Sequence, residues 1–156
     1  MKGTASINMP SARDLTVENL TKIFKQYPET FPSGYFRFLG TRLQNHLDKK
    51  TLWYKHGVVL TWTQYQKTVR RNPKCIKKVG DVKLDQLVNR NQGNGAARKV
   101  LGQFLRKFQN NRIWLEVRAN NTRAIKLYRK NGFKKACDTN FGELPGITMV
   151  REPVRE

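Results

Sequence analysis

Apolar residues recur at helical spacing in two stretches near the start of the chain. Thr16 precedes the first stretch and Ser33 precedes the second, and both are residue types that cap helices. Pro28 and Pro32 separate the stretches, so the pattern predicts two helices. Residues 4–8 are predicted to form an edge strand before them. The apolar positions of the two helices are Val17, Leu20, Ile23, Phe24 and Tyr27, followed by Phe36, Leu39, Leu43 and Leu47.

The pattern changes from helical spacing to alternation after residue 50. Residues 51–55 and 58–66 are rich in β-branched and aromatic side chains, and the two-residue turn His56-Gly57 lies between them. This arrangement is typical of a β-hairpin. We expect His56 to be a solvated turn residue and not a catalytic one.

Strands and helices alternate in the second half of the chain. Residues 82–88 and 113–117 predict strands, and each is followed by a helical pattern, the second of which ends at Gly132. Residues 146–151 predict a last strand. Strands that alternate with helices are typical of an α/β fold around a mixed sheet.

Basic residues greatly outnumber acidic ones, and this excess indicates a class of partner. The 156 residues include 31 Lys and Arg against 11 Asp and Glu, which gives a net charge of +20. A field of this size attracts polyanions such as nucleic acids. Residues 67–78 contain cations and no acidic residue, and they predict a mobile loop that either docks a nucleic acid or ribosome or is a solvated connector. The cations are Lys67, Arg70, Arg71, Lys74, Lys77 and Lys78.

Two cysteines and the absence of long apolar runs bear on the compartment. Cys75 and Cys137 fit no metal or redox spacing, so we expect reduced thiols and no metal site. The N-terminus does not resemble a signal peptide, and no stretch is long enough to cross a membrane. These observations predict a soluble cytoplasmic protein. The length of the chain predicts a single domain over residues 1–156.

A glycine-bearing turn follows the strand predicted at residues 82–88. It reads Gln-Gly-Asn-Gly-Ala-Ala over residues 92–97 and leads into a helix. Free amides at a helix N-terminus, beside the positive end of the helix dipole, bind phosphates. A dinucleotide fingerprint would need a small residue in place of Arg98, and a P-loop would need Gly-Lys-Ser/Thr. The turn therefore predicts a phosphate-binding site that is neither a dinucleotide fingerprint nor a P-loop.

Two motifs in the second half of the chain resemble those of one enzyme family. Gln92, Gly95 and Ala97 match Q-x-x-G-x-A, the acetyl-CoA pyrophosphate loop of the GNAT N-acetyltransferases. Residues 115–133 read LEVRANNTRAIKLYRKNGF, which is similar to L-E-V-R-x-x-N-x-x-A-I-x-L-Y-x-x-x-G-F, the signature of GNAT enzymes close to the ribosomal-protein N-terminal acetyltransferases. The resemblance covers the C-terminal half of the chain.

The resemblance implies a fold and a donor substrate. The fold is a single-domain GNAT fold, in which a mixed, mostly antiparallel sheet of about six to seven strands with splayed central strands is flanked by about four helices. The donor is acetyl-CoA, and the family's proline and aromatic residue before the loop are replaced here by Arg90 and Asn91 in a shorter turn. The implied acetyl-CoA contacts are Leu87, Val88, Asn89, Gln92, Gly93, Asn94, Gly95, Ala96, Ala97 and Asn121.

The resemblance also implies catalytic roles. Glu116 matches the general base of the ribosomal-protein branch, acting directly or through water, and Tyr128 matches the tyrosine that protonates the leaving thiolate. The residues themselves leave alternatives: Glu116 as half of an ion pair, and Tyr128 as an aromatic at the edge of the core. Asp85 is the reserve base.

Three hypotheses for the acceptor remain open. The first is a protein amine, at an N-terminus or on a lysine. The second is an amine on nucleic acid, such as a modified base or an aminoacyl-tRNA, and the positive charge favours this or a ribosome-associated protein acceptor. The third is a catalytically idle GNAT scaffold that binds nucleic acid, although an idle scaffold would not need the catalytic residues or the loop.

Overall fold

The computed structural model describes residues 15–154, and the edge strand predicted at residues 4–8 lies outside them. Within this range the chain forms four α-helices, a 3-10 helix at Ser33–Arg37 and six strands. The helices are α1 Val17–Phe24, α2 Leu39–Lys49, α3 Ala96–Lys107 and α4 Thr122–Lys130. The strands are β1 Leu52–Lys55, β2 Val58–Gln64, β3 Val82–Asn89, β4 Ile113–Arg118, β5 Lys134–Phe141 and β6 Leu144–Arg151.

The strands form one mixed sheet in the order β1-β2-β3-β4-β6-β5. The pairs β1 with β2, β4 with β6, and β5 with β6 are antiparallel, whereas β3 and β4 are parallel. The predicted α/β class, with a mixed and mostly antiparallel sheet and helices beside it, is confirmed. The hairpin is also confirmed, because residues His56 and Gly57 have φ angles of 54° and 76°, as a tight two-residue turn requires.

The parallel pairing at the centre of the sheet is short. It joins residues 82–84 to residues 113–115, although β3 continues to Asn89 and β4 to Arg118. The predicted splay of the central strands requires such a short pairing between two longer strands.

Contacts divide the described chain into two units, and the first contains residues 15–62 and 86–101. Its core is formed by buried residues of both early helices and of two strands: Leu20, Ile23, Phe24, Leu39, Leu43, Val59 and Val88. Thr16 caps α1 as predicted, since its hydroxyl accepts a hydrogen bond from the Asn19 amide at 3.1 Å. The predicted Ser33 cap is wrong. Ser33 starts the 3-10 helix, Pro32 precedes it without a side-chain cap, and the α-helix begins only at Leu39.

The second unit contains residues 63–85 and 102–154. Its antiparallel strands include β5, which the sequence analysis missed. Most side chains of β5 are exposed and polar, so alternation is weak, and pairing with β6 rather than an apolar face defines the strand. The predicted last strand begins earlier than expected, at Leu144.

The cationic stretch at residues 67–78 is anchored, so the prediction of a mobile loop is wrong. Cys75 and Cys137 form a disulfide with a Cα–Cα distance of 6.3 Å, and the expectation of two reduced thiols is also wrong. A backbone bridge joins Val69 to Lys77. Disulfides persist in oxidising compartments, so the argument for a cytoplasmic location from reduced thiols no longer holds.

A buried indole continues this anchoring beyond the disulfide. Trp114 donates a hydrogen bond from Nε1 to Asp81 at 2.8 Å, and the disulfide cysteines pack with it in one buried cluster. Among residues 15–154, no helix has the length and apolar character needed to cross a membrane.

Candidate active site

The turn between β3 and α3 depends on two glycines for its backbone path. Gly93 has a φ of 89° and Gly95 a φ of 79°, and side chains other than glycine rarely adopt such angles. A Cβ added at either glycine would meet no atom within 4 Å. The backbone conformation, and not a lack of space, therefore requires glycine here.

Two asparagines hold the base of this turn. Asn94 Oδ1 accepts hydrogen bonds from the Ala96 amide at 3.0 Å and from Asn89 Nδ2 at 2.9 Å. Asn89 is buried, and its own Oδ1 accepts from the Asn91 amide at 2.9 Å. The Tyr27 hydroxyl donates to the Asn89 carbonyl. The turn is thus fixed from inside the first unit while its outer residues stay exposed.

The β1–β2 hairpin supports the same turn from a second side. The Arg90 amide donates to the Gly57 carbonyl at 2.7 Å, and Arg90 Nη1 donates to the Tyr54 hydroxyl at 3.1 Å. Arg90 and Asn91 are the residues that depart from the family's pattern. Both residues take part in hydrogen bonds, so this departure does not leave the turn without support.

The start of α3 offers backbone donors. The Ala96 amide is already bonded to Asn94, and the Lys99 amide donates to the Gly95 carbonyl at 3.2 Å. The amides of Ala97 and Arg98 have no acceptor among residues 15–154. Two unused amides at a helix N-terminus form a site for an anion.

Two lysines place positive charge near His56, in the hairpin that supports this turn. Burial, together with the charges of Lys99 and Lys55, lowers the pKa of His56 below its ordinary value. The imidazole is therefore neutral at neutral pH. Burial disfavours a charge of either sign, but the share of the pKa shift that comes from Lys99 and Lys55 indicates positive charge nearby, which favours an anion.

The structure places the implied acetyl-CoA contacts from Leu87 to Ala97 together in the first unit. Leu87, Val88 and Asn89 are the last three residues of β3, directly before the turn. Gln92 is exposed within it.

Glu116 lies on β4 in the second unit and already has two partners. Lys83 Nζ is 3.4 Å from Glu116 Oε1, and the Thr139 hydroxyl donates to Oε2 at 3.3 Å. The side chains of Glu116 and Lys83 are 33% and 32% exposed, so solvent screens the pair. Both contacts are long. The ion-pair alternative is therefore realised in the structure, and it leaves the carboxylate accessible to solvent.

Tyr128 is buried on α4. It is 8% exposed, and its ring meets Phe133 edge-to-face with 5.7 Å between the centroids. Burial raises the pKa of Tyr128, so the phenol stays protonated at physiological pH. The hydroxyl has no hydrogen-bond partner within the described part of the chain. The core-edge alternative is thus also realised, in a form that keeps the phenol protonated.

Asn121 is the N-cap of α4. Its Oδ1 accepts a hydrogen bond from the Ala124 amide at 3.2 Å. This cap explains an asparagine at that position without any ligand. The amide nitrogen of the side chain makes no hydrogen bond to residues 15–154 and can still donate.

The second unit also holds an ionisable group that sequence reasoning missed. Burial and the negative charges of Glu116, Asp85 and Asp81 raise the pKa of Tyr65 to about 12. Asp85, the reserve base, accepts a hydrogen bond from the Thr63 hydroxyl. Tyr65 belongs to no motif, and only its position beside three carboxylates marks it.

Known proteins resemble this chain in one sequence segment and in its fold. The model of the acetyltransferase (GNAT) family matches residues 89–133. That segment runs from the end of β3 through Glu116 and Tyr128. No curated protein matches the chain in sequence.

Solved structures extend the likeness to nearly the whole chain. A histone acetyltransferase HPA2 and related acetyltransferase from Corynebacterium glutamicum is 18% identical, with a TM-score of 0.66 and coverage of 95% of this chain and 96% of that one. Chaetomium thermophilum Naa20, solved with a bisubstrate analogue, is 15% identical, with a TM-score of 0.66 and coverage of 88% and 83%. The NatC complex bound to Gag peptide and CoA is 18% identical, with a TM-score of 0.50 and coverage of 64% and 62%.

These likenesses agree with the two motifs on which the resemblance was based. The family model spans the glycine turn and the whole of the second motif, and the structural likeness reaches the N-terminal helices that neither motif contains. Residues 89–133 therefore match the GNAT family model, and the chain adopts the fold of the GNAT structures that it resembles.

Proposed function

We propose that the chain is an acetyl-CoA-dependent N-acetyltransferase whose acceptor is a primary amine on a macromolecule, and that residues 1–156 form one acetyltransferase domain. The observation that carries the proposal is the start of α3, where Ala97 and Arg98 present unused amides after a turn shaped by Gly93 and Gly95. The GNAT segment begins at this turn and continues through both candidate catalytic residues.

The turn would hold the pyrophosphate of acetyl-CoA. Phosphate oxygens accept from backbone amides at a helix start, and the exposed cations Arg98 and Lys99 add charge. The similar NatC structure was solved with CoA bound, which supports CoA as the ligand. We assign the amides at Leu87, Val88 and Asn89 to the thioester carbonyl, where donors aimed at a developing oxyanion stabilise it.

Acetyl transfer by direct attack moves two protons. The neutral amine nitrogen forms a bond to the carbonyl carbon, the carbon–sulfur bond breaks, and the thiolate takes a proton. Tyr128 is assigned this last step, because it matches the thiolate-protonating tyrosine of the family's motif and its buried phenol is protonated at physiological pH.

Glu116 is assigned the proton that leaves the amine. Its contacts with Lys83 and Thr139 orient the carboxylate and leave it exposed, so a water can connect it to the acceptor. A weak base of this kind suits an α-amine, whose pKa is about 7.7 to 8.0, better than a lysine at about 10.4. Asp85 remains the reserve base.

A protein N-terminus is the acceptor that these arguments favour. The peptide bound in the NatC structure supports a peptide acceptor. An amine on nucleic acid is the second candidate, supported by the net charge of +20. It differs from the first only in the acceptor and requires the same donor site.

The test is incubation of the purified protein with labelled acetyl-CoA and a cell extract, followed by separation of protein, RNA and DNA. We expect label on protein amino termini, and label that accumulates about 100-fold more slowly with the Tyr128→Phe variant. Label in the RNA fraction would establish the second candidate. If no fraction gains label, and if acetyl-CoA neither raises Tm nor releases free thiol, the enzyme assignment fails and the idle scaffold replaces it.

A further inference from the structure

The second unit contains a cationic groove whose lining residues lie outside the two acetyltransferase motifs. Its volume is about 650 Å³, and it lies between the segment at residues 70–78, the start of β4 and the beginning of β5. Six basic side chains line it, and Glu152 is the single acidic one. The six are Arg70, Lys74, Lys78, Arg112, Lys134 and Lys135. We call this feature the basic groove.

The cations of the basic groove are only partly neutralised. Arg112 pairs with Glu152 at 3.2 Å, and Lys135 pairs with Asp138 at 2.8 Å. Of the other four lining cations, Lys74 acts on Asp138 electrostatically, and Arg70, Lys78 and Lys134 form no ion pair within residues 15–154. Unpaired cations from separate segments keep their repulsion unless an extended anion lies among them.

The disulfide fixes the two walls of the groove relative to each other. Cys75 is flanked by Lys74 and Ile76, and Cys137 follows Lys135 and Ala136, and all four neighbours line the groove. One covalent bond therefore joins the loop wall to the strand wall. The cations are held in a fixed arrangement and are not scattered on a mobile loop.

The size and floor of the groove indicate which polyanion it accepts. The groove has the volume of a ligand pocket and is lined by short segments, which suits a few nucleotides of a flexible single strand. Trp114 contributes to the floor but is only 4% exposed, so its ring cannot stack on a base. Contacts are thus limited to ionic contacts with phosphates, and such contacts bind the nucleic-acid backbone without distinguishing its sequence.

We propose that the basic groove binds the phosphate backbone of single-stranded nucleic acid without sequence preference. The proposal does not depend on acetyl transfer, and it includes Arg112, Lys134 and Lys135, which lie outside the cationic run at residues 67–78. A carboxylate-rich peptide is the competing class of ligand. The closely spaced charges along a phosphodiester chain suit six cations from three segments better.

The experiment measures the fluorescence anisotropy of a labelled oligouridylate of about 20 nucleotides against salt concentration, without acetyl-CoA. The groove variant is Arg70→Gln/Lys78→Gln/Lys134→Gln. The matched control, Lys22→Gln/Lys49→Gln/Arg106→Gln, removes the same charge from exposed helix positions. We expect the groove variant to lose about tenfold or more in affinity and its salt slope to fall by about 0.7 for each lost phosphate contact, with less than about threefold loss in the control.

A second variant changes geometry at constant charge. Cys75→Ala/Cys137→Ala keeps the net charge but frees the walls, and we expect a loss of about threefold or more in a protein that circular dichroism shows to be folded. An oligodeoxyuridylate should bind like the RNA, and polyglutamate should compete poorly.

Two results would overturn the proposal. One is equal loss of affinity in the groove and control triple variants, which would assign binding to net charge alone. The other is competition by polyglutamate as effective as that by RNA. If the triple variant does not fold, wild-type protein is photo-crosslinked to 4-thiouridine RNA instead. Crosslinks outside residues 70–78, 112 and 134–135 would contradict binding in the basic groove.

Discussion

The turn before α3 and the basic groove both suit anions, and they do so by different means. The turn uses backbone amides, and its glycines at positions 93 and 95 take φ angles that set the direction of those amides. The groove uses side-chain cations, and a disulfide between Cys75 and Cys137 sets their positions. A local sequence pattern encodes the first site. Contacts across 62 residues of sequence create the second.

The sharpest way to separate the two sites is Gly95→Glu. The substitution puts a carboxylate beside the amides of α3 and forces a side chain onto a φ of 79°. We expect acetyl-CoA to lose its effect on Tm completely, because the charge repels the pyrophosphate and the strain moves the turn. Affinity of the basic groove for oligouridylate should change by less than about twofold, since one added charge barely alters a net charge of +20.

Two companion variants show which part of the substitution acts. Gly34→Glu adds the same charge at an exposed position where a Cβ meets no atom within 4 Å, and it should leave the Tm shift intact. Gly95→Asn keeps a residue type that tolerates a left-handed backbone and should retain part of the shift. A full shift in Gly95→Glu would remove the turn from the cofactor site.

Tyr128→Phe tests chemistry apart from either anion site. We expect turnover to fall by about 100-fold or more with KM for both substrates nearly unchanged, because the proton for the thiolate is lost while binding groups remain. Steady-state kinetics with a peptide acceptor measures both constants. Tyr65→Phe is the matched control, since it deletes another phenol of raised pKa in the same unit. Wild-type turnover in Tyr128→Phe would exclude it as the acid.

Removing the disulfide should weaken the groove and spare the turn. Cross-linking residues separated by 62 positions stabilises a protein by about 2 to 4 kcal/mol, so Cys75→Ala/Cys137→Ala should lower the free energy of unfolding by that amount in a urea titration. The Tm shift produced by acetyl-CoA should persist. The wild type with dithiothreitol should match the variant, and if reduction leaves stability unchanged, the bond contributes nothing to the fold.

The two sites differ in how much of them the sequence could predict, because the turn depends on local residues and the basic groove on distant ones. The turn could be predicted because glycine at residues 93 and 95, and a strand before a helix, are local signals. Asn89 and Asn94, whose side chains hold the turn, follow the rule that asparagine bonds to nearby backbone. The sequence resemblance supplied Glu116 and Tyr128, but not the ion pair of Glu116 with Lys83.

The errors share a cause, which is dependence on distant residues. Nothing near Cys75 indicates that Cys137 lies beside it, so the disulfide and the anchoring of residues 67–78 were not predictable locally. β5 is a strand because it pairs with β6, and its exposed polar side chains show little alternation. Ser33 had the right residue type for a cap, but a 3-10 turn formed first.

His56 provides the smallest effect and a direct report on the turn. Its pKa is lowered by burial and by the charges of Lys99 and Lys55. Pyrophosphate bound at the start of α3 would offset the charge of Lys99, so the pKa of His56 should rise when CoA binds, as measured by NMR titration of the imidazole protons. Oligouridylate bound in the basic groove should leave it unchanged.

The same lowered pKa fixes the sign of a weak pH dependence. Near pH 6 the unfolded chain binds more protons at His56 than the folded chain, so the contribution of this group to stability decreases as pH falls below about 6.5. His56→Asn, which tolerates the φ of 54°, should remove that contribution. Inorganic pyrophosphate adds the charge with little burial of the ring, so a pKa of His56 that does not rise when pyrophosphate saturates the protein would contradict phosphate at this helix start.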